Sequence, residues 1–150
     1  MHKFLSCNCA DKCGAWSLSF LRVVTGLTFA IHGYQKISMG VDNFANMLLL
    51  LGVPAAPFMA WVVTLVELIG GILIILGITH WASKLLIIDM LAAIWLVHLP
   101  NGFNVGQGGY EFNLLLIAAL FTLISMGPGT CSIGKKHQEP ARYGANPVAS

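Results

Sequence analysis

Residues 18–37 form a mostly apolar run long enough to cross a bilayer, yet the run carries Arg22, His32 and Lys36. As a helix rising about 1.5 Å per residue it spans roughly 30 Å, the thickness of a hydrocarbon core. At about 100° per residue the three ionisable side chains fall within an arc of roughly 80°, so one face is polar and the rest suits lipid. Ionisable groups at membrane depth are costly unless paired or wetted. Their partners are therefore expected on other helices of the same chain.

The composition agrees with a membrane solvent. Of 150 residues, 57% are hydrophobic and 9% charged, where an ordinary soluble domain carries about 25% charged residues. The formal net charge of +2 is small and the basic residues sit towards the ends, which excludes a nucleic-acid-binding patch. The expected surroundings are the lipid bilayer. The length suits one bundle of spans without a large extramembrane domain, so a large partner would be a separate chain.

Three further spans come after it. Beyond the first, Phe44, Met47, Leu48 and Leu51 recur with helical spacing; Asp42 or Asn43 is placed to cap this short helix, and Gly52 with Pro54 to end it. About ten residues cannot cross a membrane, so this helix is expected in the interface, covering one mouth of the bundle. The second span covers 58–76 with Glu67 near its middle and Gly70 and Gly71 on the same face; a turn over 78–83 leads to the third, 84–99, with Asp89 beside Ala92 and Ala93. His98 lies nine residues beyond Asp89, about 180° round a regular helix, and shares its face only if the helix unwinds before Pro100. A glycine-rich loop, 98–111, reads as a set of turns rather than a phosphate cradle, and the fourth span, 112–126, stops at Gly127, Pro128 and Gly129. The expected fold is an all-α four-helix transmembrane bundle with a short interfacial helix between spans 1 and 2. It divides into a cysteine-rich segment over 1–17, a membrane domain over 18–130 and a basic tail over 131–150. No secretory leader pattern precedes the first span, which is expected to be retained.

Four spans put both ends on one side, together with Lys3, Lys12, Lys84, Lys135, Lys136 and Arg142, and the positive-inside rule then expects both termini in the cytoplasm and the protein in the cell's inner membrane. Counting residues along each span places Arg22, Asp89 and Glu67 roughly 6, 8 and 14 Å from the cytoplasmic ends, an inner layer in which one guanidinium could meet the carboxylates. His32, Lys36, His98 and Glu111 make an outer layer near the other surface. An ion pair fixing helix register explains Arg22 with one acid; a second acid beside it suits proton handling. Two histidines, a lysine and a glutamate at one mouth suit a polar ligand pocket. Cys7, Cys9, Cys13 and Cys131 share the terminal side; free thiols are expected there, with a zinc or iron–sulfur centre as the competing reading.

RVVTGLTFAIHGYQKI, LGVPAAP, VELIGGILIILGI, the loop from His98 to Glu111 and the closing GPG, taken in order, resemble the DoxX family of small four-span membrane proteins. The resemblance covers residues 18–130 and puts Arg22, His32, Gly33, Lys36, Glu67, Gly70, Gly71, His98 and Glu111 at family-type positions. It implies a membrane redox role, since some relatives resemble membrane subunits of quinone-linked oxidoreductases, including thiosulfate:quinone oxidoreductase, and others are associated with redox-stress complexes. The expected ligand is then a quinone. His32 and His98 would hydrogen-bond its carbonyl oxygens, Lys36 would favour its anionic reduced form and Glu111 would exchange protons, while Arg22, Glu67 and Asp89 would line the inner layer. Electrons would come from a separate protein in a membrane redox complex. A non-catalytic scaffold or small-solute carrier is the alternative.

Overall fold

The computed structural model describes residues 8–130, 132 and 133; side chains are described from residue 14 onward. Every regular element among them is helical: α1 (Asn8–Ser38), α2 (Val41–Leu50), α3 (Ala56–Leu76), α4 (Thr79–Ala93) and α5 (Glu111–Met126). A π-helical turn, Ile94–His98, and a 3-10 turn, Leu99–Asn101, prolong α4. Among the described residues three stretches are long and apolar enough to span a bilayer, Gly14–Ser38, Ala56–Leu76 and Thr79–Asn101, and α5 is a shorter apolar helix of 16 residues. Large apolar side chains such as Phe20, Phe58, Trp95 and Phe121 stand on the outside, where acyl chains rather than water accommodate them.

The expected elements are present, with shifted edges. α1 starts at Asn8, ten residues before the apolar run, because nothing over 8–17 breaks a helix. The turn expected over 78–83 shrinks to Gly77 and Ile78: Gly77 takes φ +90° and closes α3, and α4 begins at Thr79. The interfacial helix is capped by Gly40 at φ +90° rather than by Asp42 or Asn43, and the Asn43 amide donates instead to Met39 O at 2.7 Å. Residues 1–7, 131 and 134–150 carry part of the cysteine reading and the whole basic-tail reading, which fall outside the described residues, as do the side chains of Cys9 and Cys13.

The helix pair α1 and α3 is the spine of the bundle. A Cβ on Gly71 would lie 2.5 Å from Ala30 N, and one on Gly33 would lie 2.6 Å from Leu68 N, so the two backbones approach as closely as only glycine permits. Towards the middle of the bundle Phe29, Ile74, Leu86, Leu120 and Leu123 are all fully buried and form one apolar layer. On the terminal side of that layer, Arg22 donates to Pro128 O at 2.6 Å and Thr130 O at 3.3 Å, and the Ser19 hydroxyl bonds Thr130, so the turn after α5 is clasped onto α1. On the opposite side α2 lays Val41, Ala45 and Leu48 over Ala56 and Ala60 at the start of α3. The space between α2, the other helices and the 98–109 loop is not filled.

Candidate functional site

That space is a cavity of about 760 Å³, with a mostly apolar wall in which five ionisable side chains, His32, Lys36, Glu67, Asp89 and His98, are set. It falls within the usual range of small-molecule sites, about 300–1,000 Å³, and shares their chemistry of few polar groups in an apolar shell. His32 and Lys36 come from α1, Glu67 from α3, Asp89 from α4, and His98 from the π turn. The polar residues of four segments thus face one volume.

At the centre Lys36 donates to Glu67, an ion pair whose side chains are only 18% and 5% exposed. The α1–α3 register explains the choice of partner. Leu68 faces Gly33 and Gly71 faces Ala30, so Glu67 is level with Tyr34, about 3 Å along the axis from Lys36 but about 18 Å from Arg22. A lysine side chain also leans back towards its own helix N-terminus, which brings Nζ down to the carboxylate. The same ammonium lies 5.2 Å from the centre of the Phe44 ring, so Lys36 links α2 to the pair as well. Asp89 stands across the cavity, and its Oδ2 is buried with no hydrogen-bond partner among the described residues.

The π turn resolves the nine-residue spacing from Asp89 to His98. It takes up an additional residue relative to an α-helical turn, which rotates the succeeding backbone by about 100° and brings His98 to the cavity side. There His98 Nδ1 lies 2.7 Å from Gly108 O. A carbonyl only accepts, so Nδ1 carries the proton and Nε2 is the nitrogen left to receive one. Asn101 donates to the same carbonyl at 3.3 Å, tying the 98–109 loop to the end of the third span. Gly102 and Gly108, at φ +76° and +80°, form turns as their spacing implied. His32 packs edge-on against Phe112, with ring centres 6.2 Å apart.

Two residues of the expected set lie apart from the cavity wall. Arg22 sits at the terminal end in the clasp described above, and Glu111 turns to the loop, where its Oε2 accepts from Val105 N at 3.1 Å. Gln35 and Asn113 are among the polar wall residues that escaped notice in the sequence. Asn113, on the first turn of α5, is 7% exposed and donates to Met90 Sδ at 3.4 Å. A single amide in an apolar span carries the same signal that marked Glu67 and could have been found by it.

A membrane-embedded helical bundle with a polar cavity under a short amphipathic helix defines a class of small multispanning membrane protein. The chain matches the DoxX family model over residues 17–99, and it belongs to that family. It is 34% identical over 108 residues, 71% of this chain and 76% of the relative, to a Bacillus subtilis protein named "Putative oxidoreductase CatD". It is 32% identical over 138 residues, 82% of each chain, to the uncharacterized membrane protein Rv3486 of Mycobacterium tuberculosis. An uncharacterized Haemophilus influenzae protein is 31% identical over 142 residues, covering 86% of this chain and 96% of the relative. No solved structure matches the chain.

Proposed function

We propose that this protein is the membrane subunit of a redox complex, that it binds a quinone or a similar small molecule in the cavity beneath α2, and that a separate protein supplies the electrons. The observation that carries this reading is the set of five ionisable side chains from four segments around one apolar-walled volume. The redox naming of the Bacillus subtilis relative supports the same direction. Reduction of a quinone to the quinol takes two electrons, from the partner, and two protons, which groups on the cavity wall must deliver.

The side chains divide that work by their contacts. Lys36 holds a positive charge in a low-dielectric wall, where it stabilises negative charge growing on a nearby oxygen. His98, with Nδ1–H committed to Gly108, has Nε2 to exchange a proton, and His32 is a second imidazole on the same wall. Because Glu111 is engaged with the loop, the acid role expected of it passes to Asp89, whose Oδ2 has no hydrogen-bond partner among the described residues. Glu67 keeps Lys36 in place. The protein would reside in the cell's inner membrane with both termini cytoplasmic, in keeping with the basic residues on the terminal side.

Solvent extraction of protein purified in mild detergent tests the reading, alongside quinone reduction in membranes carrying His32→Gln and Lys36→Met variants. Co-purifying quinone, lost with either substitution, is the expected result. Quinone-free protein together with unchanged reduction in both variants would overturn it.

A further inference from the structure

The cavity is larger than its polar groups need. A single substituted ring set among His32, Lys36 and Asp89 would fill only a fraction of about 760 Å³. Apolar side chains line much of the remainder, Met47 and Leu48 of α2 and Leu96 and Val97 of the π turn among them. Met47 and Leu96 are 38% and 37% exposed while also lining the cavity, so they belong to both the inner wall and the outer surface and mark a lip. The floor carries the charges; the exposed residues of the rim are mostly apolar, Met39, Met47, Leu96, Val105 and Phe112, with Gln35 and Asn43 as its polar members. A water-soluble solute would meet the reverse order of surfaces on its way in.

The surface outside the lip is apolar too. Leu49, Leu50 and Leu51 continue from Met47 and all stand exposed, Leu50 by 89%. Three exposed leucines at the end of an amphipathic helix on a membrane bundle sit in acyl chains, not in water. Resting on the quinone-type reading above, we infer that the ligand is an amphiphile with a hydrocarbon chain, that it enters sideways from the bilayer between α2 and the π turn, and that its chain stays between Met47 and Leu96 once its head reaches Lys36. The apolar layer of Phe29, Ile74, Leu86, Leu120 and Leu123 closes the other end, so loading is from the α2 side alone.

The test uses the full chain in lipid nanodiscs and two benzoquinones with the same head, one tailless and one with a decyl chain. A photoreactive diazirine at the end of the decyl chain should label the segments 47–51 and 96–97, and unlabelled decyl compound should suppress the labelling. In the Met47→Trp, Leu96→Trp double variant, which fills the lip, decyl affinity should fall at least tenfold while tailless affinity changes less than twofold. Labelling that is absent from both segments, or that excess unlabelled compound leaves unchanged, overturns the lateral portal, as does an equal response of the two compounds to the double variant; tailless binding to the unsubstituted protein then leaves the quinone-type reading standing. If neither compound binds the unsubstituted protein, that reading falls and the portal with it.

Discussion

Lys36 carries the most connections of any side chain in the cavity, because one ammonium meets the Glu67 carboxylate and the Phe44 ring and still borders the open volume. Removing one member of a buried ion pair leaves the other charge uncompensated, which commonly costs about 3–5 kcal/mol, whereas replacing both with apolar groups of similar volume is often neutral or stabilising. Lys36→Met alone and Glu67→Gln alone should therefore each lower thermal stability in detergent strongly, and the Lys36→Met, Glu67→Leu pair should recover most of the loss. Equal destabilisation by the double variant would mean that each residue has other, independent work in the fold. The pairing itself was only half legible. That Glu67 needed a cation followed from its place in an apolar span; which cation did not, because residue counting set 18 and 76 at the same depth. The glycine contacts instead slide α1 along α3 by about seven residues, roughly 10 Å, which moves Arg22 out of reach and Lys36 into it.

Helix register is thus decided at the glycines, and this is testable on the elements themselves. A methyl group at Gly71 would lie 2.5 Å from Ala30 N and 2.6 Å from Gly26 O, both backbone atoms that cannot swing aside. Gly71→Ala should force α1 from α3, with a loss of about 1–3 kcal/mol or more, typical of overpacking. Gly14, with nothing within 4 Å of its added Cβ, is the matched control, and Gly14→Ala should leave the melting temperature unchanged or slightly raised. Parallel thermal melts of the two variants decide the matter; equal melting would show that the interface has slack. The sequence disclosed the elements well, since apolar length, Pro54 and the GPG stop are local signals. It could not disclose the π turn. A regular helix put His98 opposite Asp89, and the wider turn that returns it is accompanied by bonds from His98 and Asn101 to the distant Gly108 carbonyl, which no local signal announces.

Across the whole molecule the polar groups fall into two regions with a dry layer between them. Arg22, Ser19 and the turn after α5 occupy the terminal side, the cavity occupies the α2 side, and Phe29, Ile74, Leu86, Leu120 and Leu123, none of them exposed, separate the two. Helices α1, α3, α4 and α5 each contribute at least one residue to that layer, and on α1 it falls between Arg22 on one side and His32 with Lys36 on the other. Carrying a solute or proton across would require these close-packed side chains to part, and moving a charge through such a layer unaided is expensive. A one-sided site is the consequence, which sets the redox reading against the carrier alternative. Reconstituted into vesicles enclosing a pH-sensitive dye, the protein should admit protons and small solutes no faster than empty vesicles do, and Glu67→Gln should change nothing. Uptake above background that Glu67→Gln abolishes would place the transport route through the cavity after all, and would show that the layer opens.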